Sequence, residues 1–145
     1  MKKYFCFLAI IALTGCGDIY DDRMSLKNSS EAPLYISISR DDALAHAEEI
    51  TYRGPGKKDY FTRKVLRDTT QILNRQGSSD VWPKFVGSGN EGKLRIFIIN
   101  HKNFEKYTWE EICNKHLYKK AKMSVADLDK INWLIDMDSI DKLPQ

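Results

Sequence analysis

The clearest alternation of apolar and polar positions lies in residues 34–39 (LYISIS). A leucine and two isoleucines fall on one face, and a tyrosine and two serines fall on the other. A period of two predicts a half-buried β-strand. Residues 23–27 carry a weaker form of the same pattern and predict an earlier strand. The segment between them, residues 28–33 (NSSEAP), is rich in turn-forming residues, so the two strands are expected to form a hairpin.

The longest apolar run of the second half, residues 94–99 (LRIFII), predicts the central strand of the fold. Weaker patterns predict further strands at residues 60–66, 69–73 and 133–135. Residues 81–86 (VWPKFV) are also apolar, but Pro83 lacks the N–H that a central strand needs. That segment is therefore not expected to be a central strand.

Helix signals are concentrated in the last third of the chain. Thr108 and Glu111 have the spacing of a capping box, and Ser124 and Asp127 repeat it with aspartate in place of glutamate. An alanine-rich stretch at residues 41–49 adds one or two helical turns. The predicted fold is mainly β: a small antiparallel β-sandwich-like domain with one or two short C-terminal helices. An α+β fold is the second choice.

The N-terminus has the features of a bacterial export signal. Met-Lys-Lys is followed by ten largely apolar residues, half the ~20 that a membrane-spanning helix requires. The sequence Leu-Thr-Gly-Cys at positions 13–16 resembles the lipobox of bacterial lipoproteins. This resemblance implies that residues 1–15 are removed and that Cys16 carries a diacylglyceryl group and, on its amine, a fatty acid such as palmitate. Residues 16–22 are then an acidic tether, and residues 23–145 are a single globular domain.

The composition fits one globular domain, and the net charge gives no reason to expect a nucleic-acid partner. The chain has 145 residues, of which 42% are hydrophobic and 30% are charged. Loss of Lys2 and Lys3 with the signal would lower the formal net charge from +3 to +1, so no basic excess remains to favour nucleic acid. Cys6 would leave with the signal and Cys16 would be lipidated. Cys113 would then have no disulfide partner within the chain.

A glycine-rich segment, residues 87–93 (GSGNEGK), matches both the G-x-G-x-x-G and the G-x-x-x-x-G-K patterns. Both motifs bind phosphate through backbone N–H groups at the start of a helix. Here the next residue is Leu94, which cannot hold magnesium, and a β pattern follows. The segment is expected to be a hairpin loop, and no nucleotide or other cofactor is predicted.

Two side chains with reactive groups, Cys113 and His116, would share one face of a helix. They could form a thiol–imidazole pair or half of a metal site, but a zinc site needs three or four ligands. A buried Cys113 and a surface His116 are the favoured interpretation, with no catalytic or metal-binding residue.

Two further patterns have simple structural interpretations. The Asp-x-Asp-x-x-Asp pattern at residues 136–141 lacks the glycine and the glutamate of a calcium loop, and a solvated acidic tail is expected. Trp82, Trp109 and Trp133 could form a sugar-stacking platform, although packing in the core and at its rim is the more common role of tryptophan in a small β domain.

Three stretches resemble a group of small uncharacterised lipoproteins of Bacteroidetes. They are residues 26–37, residues 82–112 around Trp82 and the LRIFII strand, and residues 117–133. The resemblance implies an envelope lipoprotein with a small β-rich domain, and it brings no known activity or catalytic residues.

The expected function is that of a lipid-anchored, non-enzymatic module that binds a protein or glycan partner. The resemblance implies an outer-membrane location and favours the cell surface over the periplasm. Lipoproteins of the group it resembles are often exported to the surface when acidic residues follow the lipidated cysteine, and here Asp18, Asp21 and Asp22 follow Cys16. The alternatives are a small periplasmic enzyme that uses Cys113 and His116, and an inhibitor or immunity lipoprotein that blocks a toxin.

Overall fold

The structure, a computed structural model, describes residues 19–44 and 63–142, which form two β-sheets with four short α-helices. The strands are β1 (Tyr20–Asn28), β2 (Leu34–Ser39), β3 (Arg63–Val65), β4 (Thr69–Gln76), β5 (Lys93–Asn100), β6 (Lys119–Ser124) and β7 (Leu134–Asp136). The helices are α1 (Val81–Gly87), α2 (His101–Lys106), α3 (Trp109–Asn114) and α4 (Val125–Lys130), with short 3₁₀ helices at Asn90–Gly92 and Met137–Lys142. The predicted small, mainly-β domain is confirmed. It has more helices than expected, because α1 and α2 were not predicted.

The strands divide into a three-stranded and a four-stranded sheet. In the first sheet the order is β4-β1-β7, with β4 antiparallel and β7 parallel to β1. In the second sheet the order is β3-β2-β5-β6, and all neighbours are antiparallel. The interior position predicted for residues 94–99 is confirmed. The predicted hairpin is wrong, because β1 and β2 lie in different sheets.

A buried asparagine explains why the turn after β1 does not make a hairpin. The Nδ2 group of Asn28 donates to the carbonyl oxygens of Ala32, Val65 and Leu66 at 3.0–3.1 Å. Its Oδ1 accepts from the backbone N–H of Ser30 at 3.0 Å. These bonds satisfy the turn internally and tie it to the end of β3. The turn is therefore an arch that carries the chain from one sheet to the other.

The main core fills the space between the two sheets and is closed by α1 and α4. Ile36 and Ile38 of β2 and Ile96 and Ile98 of β5 all face it. The opposite face of the second sheet is also covered. It packs a second cluster, consisting of Tyr35, Leu44, Phe97, Ile99, Phe104 and Ile112. The strand at residues 34–39 was predicted to be half-buried and is instead buried on both faces, because α2, α3 and residues 41–44 cover the side that carries Tyr35.

The apolar segment with the proline forms helix α1 rather than a strand. Pro83 is the third helical residue, where the backbone N–H has no partner within the helix in any case. Trp82 is fully buried, and its Nε1 donates to the carbonyl oxygen of Leu73 at 2.9 Å. The expectation that this segment is no central strand is confirmed.

The start of β1 corrects the predicted tether at residues 16–22. Tyr20 already belongs to the strand, and Asp21 is only 3% exposed. The Asp21 carboxylate accepts from the backbone N–H of Trp82 at 3.0 Å and from Nε of Arg23 at 2.8 Å. It therefore satisfies a free N–H in the first turn of α1, where a negative charge is stabilising. An acid that the sequence pattern suggested to be solvated is part of the fold.

A buried arginine of β5 binds the end of the segment 19–44 to the second sheet. The fully buried Arg95 donates to both carboxylate oxygens of Asp42, from Nε at 3.1 Å and from Nη2 at 3.0 Å. It also donates to the carbonyl oxygens of Lys93 and Asn90. The hydrogen bonds from Arg95 lower the pKa of Asp42 to about 2. Bidentate, charge-assisted geometry of this kind is specific as well as strong.

Several predictions concern residues beyond those described. The signal peptide, Cys16 and most of the alanine-rich stretch at residues 41–49 lie outside the described residues, as does the first part of the strand predicted at residues 60–66. Within residues 19–44 and 63–142, no helix has the length and apolar character needed to cross a bilayer.

Candidate functional site

Cys113 and His116 line one cavity of about 320 Å³, together with Asp42, Leu44 and Tyr118. They do not share a helical face as predicted, because α3 ends at Asn114 and His116 lies in the following loop. His116 is exposed, as predicted, whereas Cys113 is only partly buried and not fully buried as predicted. Burial raises the pKa of the Cys113 thiol, so that the reactive thiolate is disfavoured.

The three tryptophans do not form a platform. Trp82 and Trp133 are buried in the main core, at 0% and 6% exposure. Trp109 packs on the second cluster and lines another cavity of about 300 Å³ between α2 and α3. A ring must be open on one face to stack on a sugar, so burial excludes two of the three.

The glycine-rich segment connects α1 to β5. It is not a hairpin loop, because a helix and not a strand precedes it. Glu91 and Gly92 have positive φ angles of 58° and 63°, which turn the chain into β5. The strand that follows agrees with the prediction and differs from the helix on which phosphate-binding loops depend.

The acidic residues near the C-terminus contact the first sheet and its arch. Asp136 lies 3.9 Å from Nζ of Lys27, and the Asp138 carboxylate accepts from the backbone N–H of Ser29 at 2.7 Å. Among the described residues, no group of three or more histidine, cysteine, aspartate or glutamate side chains could hold a metal ion.

A cavity of about 470 Å³ forms a polar cleft at one end of the second sheet. Leu34 and Asn100, which are paired across β2 and β5, both line it. The polar cleft is lined by Leu34, Ile98, Asn100, Asn103, His116, Leu117, Tyr118, Lys119, Met137 and Asp138. Cavities of a few hundred cubic ångströms with an apolar floor and a few polar groups are typical ligand sites.

Two asparagines on one wall of the polar cleft are held by backbone groups. Asn100 is the N-cap of α2, and its Oδ1 accepts from the backbone N–H of Asn103 at 2.8 Å. Nδ2 of Asn103 donates to the carbonyl oxygen of Leu117 at 3.0 Å. These bonds fix both amide orientations. Nδ2 of Asn100 and Oδ1 of Asn103 have no partner among the residues that the structure describes.

His116 occupies a position that usually belongs to glycine. It follows α3 with a φ angle of 52°. Its backbone N–H donates to the carbonyl oxygen of Cys113 at 3.3 Å, and the N–H of Leu117 donates to the carbonyl oxygen of Ile112 at 3.0 Å. This is a Schellman motif, whose left-handed residue costs a non-glycine side chain roughly 1 kcal/mol. Asn132 ends α4 in the same way, with φ 51°. His116 lines both the polar cleft and the cavity beside Cys113.

The remaining walls add charge and apolar surface. Asp138 and Lys119 contribute one negative and one positive group, and Leu34, Ile98 and Met137 contribute apolar surface. The ring of Tyr118 lies 5.8 Å from that of His116 and packs edge-on against Phe97. Burial raises the pKa of Tyr118, so its phenol stays protonated at neutral pH.

The sequence pattern pointed to His116 as a partner of Cys113 and to Asp138 as part of a calcium-like acidic pattern. It gave no indication that Asn100 and Asn103 belong to a site. One signal was available: an asparagine directly after the strongest strand, which is a favoured residue at the start of a helix. The cleft itself joins residues from β2, β5, β6, α2, a loop and a 3₁₀ helix, which no local pattern connects. Comparison of the chain with protein-family models, curated proteins and solved structures found no match.

Proposed function

We propose that the protein is a lipid-anchored lipoprotein of the outer membrane that acts as a non-enzymatic module and binds a protein or glycan partner in the polar cleft. The observation that carries the binding role is the cleft itself. Its volume of about 470 Å³, its apolar lining residues and its fixed amide groups suit it to hold a ligand. An inhibitor or immunity lipoprotein would be a special case of the protein-binding role.

The position of the anchor relative to the cleft supports this proposal. Between Cys16 and Tyr20 lie only three residues, which limits the separation of the lipid and the fold to about 15 Å. β1 then runs for nine residues, or about 30 Å. At its far end, Ser29 contacts Asp138 of the cleft wall. An anchor on Cys16 would therefore attach at the end of β1 opposite the cleft, leaving the cleft accessible to a partner.

We expect the anchored domain to face outward and to be removed when proteinase is added to intact cells. Of the acids after Cys16, Asp18 and Asp22 remain to signal export, because Asp21 is buried in the fold. Replacing Asp18 and Asp22 together by asparagine should reduce digestion on intact cells without reducing lipidation. A wild-type protein that is protected on intact cells and digested only after lysis would contradict surface display.

One observation favours the alternative function, a small periplasmic enzyme: Cys113 and His116 line the same cavity. We expect it to fail a test of thiol reactivity. Since burial raises the thiol pKa, Cys113 in the folded protein should react with iodoacetamide at pH 7 at least about tenfold more slowly than in the unfolded chain. The unfolded chain is the control, and mass spectrometry gives the rate. Faster reaction in the folded state would favour a catalytic thiol.

A further inference from the structure

We infer that the ligand of the polar cleft is a neutral saccharide bound through two adjacent hydroxyl groups. This inference rests on the proposed function and specifies its ligand class. Nδ2 of Asn100 is a donor and Oδ1 of Asn103 is an acceptor with no partner in the described part of the chain, and the 2.8 Å bond from the Asn103 backbone N–H to Oδ1 of Asn100 holds the two residues together at the start of α2. Each hydroxyl of a sugar is both donor and acceptor, so a neighbouring pair matches this arrangement.

The charged groups of the cleft favour a neutral sugar over an anion. Lys119, the lysine among the lining residues, already has an interaction partner. The Asp138 carboxylate uses Oδ2 to accept from Ser29, and Oδ1 has no hydrogen-bond partner within the described part of the chain. A free carboxylate oxygen accepts a hydroxyl proton and repels phosphate, sulfate or another carboxylate. The apolar residues of the lining, Leu34, Ile98 and Met137, suit the C–H surface of a sugar ring, which also avoids water.

His116 has an unfavourable backbone conformation, and a role in ligand binding would explain why a histidine is found there. Glycine would satisfy the same Schellman motif without a side-chain clash, yet the chain places an exposed imidazole there, beside Tyr118 and on the cleft wall. An imidazole can donate or accept at the edge of a bound sugar. Asn132 has the same backbone conformation at the end of α4 and is not among the residues that line the cleft. It therefore provides a matched control.

The test uses the full-length lipoprotein in detergent micelles on an array of neutral gluco-, manno-, galacto- and xylo-oligosaccharides, with sulfated and uronic-acid forms of the same sugars. We expect the wild type to bind at least one neutral glycan. His116→Gly and Asn132→Gly should both raise the melting temperature, since both relieve a positive φ. Only His116→Gly should weaken glycan binding, by at least tenfold.

A second variant separates binding from folding. Asn100→Asp keeps the capping oxygen of α2 and exchanges the free donor for an acceptor, so it should retain the wild-type melting temperature and lose glycan binding. Binding unchanged in both His116→Gly and Asn100→Asp would overturn the inference, as would binding of acidic glycans only. If no glycan binds but a crosslinker at the cleft captures a protein in the outer membrane, the saccharide is wrong and the binding function stands. A protein that never reaches the membrane would instead refute the proposed function.

Discussion

Replacing Ile96 by aspartate is expected to unfold the protein. Ile96 is fully buried in β5, faces the main core and is paired with Ile38 on one side and Ala121 on the other. A carboxylate there would lose its hydration without gaining a partner, a loss of several kcal/mol. Domains of this size are stable by only about 5–15 kcal/mol in total. Far-UV circular dichroism should therefore show loss of the cooperative thermal transition.

The matched control is Ile72→Asp, the same substitution on a neighbouring sheet. Ile72 lies in β4 and is 52% exposed on the outer face of the first sheet, so a charge there remains hydrated. Its effect on the free energy of unfolding should stay within about 0.5 kcal/mol. Equal stability of the two variants would mean that β5 is not buried as described.

Replacing Cys16 by alanine is expected to abolish attachment to the membrane. Each buried CH₂ of an acyl chain contributes ~0.8 kcal/mol, and two or three chains hold a protein far more firmly than one. The variant should not incorporate a labelled palmitate analogue and should no longer float with membranes in a density gradient.

Cys113→Ala provides the control for this experiment, because it removes the other cysteine of the processed chain and leaves the lipobox unchanged. It should be labelled and float like the wild type. Undiminished labelling of Cys16→Ala would show that the lipid is attached elsewhere and that the lipobox interpretation is wrong.

The parts of the fold that could be predicted are those that local chemistry determines. The apolar run of β5 has too few polar residues for any edge position, and it is an interior strand. The capping boxes at Thr108 and Ser124 form as predicted, because side chain and backbone three residues apart satisfy each other without help from the rest of the fold.

The parts that could not be predicted depend on distant partners. The arch at Asn28 is held by carbonyl oxygens at the end of β3, and the burial of Asp21 depends on an N–H of α1. Neither partner is near in sequence, so the turn resembled a hairpin and the acid resembled part of a tether. The polar cleft could not be predicted for the same reason, because its residues are distant in sequence. Asn103 is oriented by Leu117 from the loop after α3, and only the folded chain brings them together.

The parallel pairing of β1 with β7 affects the order in which the chain completes its fold. Ser25 pairs with Leu134, more than a hundred residues further along. Contacts between such distant segments form slowly, because the entropy of closing the loop is lost before the contact forms. A chain exported N-terminus first would have β1 across the inner membrane well before its last partner. The first sheet would stay incomplete during translocation. The chain would therefore remain unfolded enough to pass through the membrane until nearly all of it has crossed.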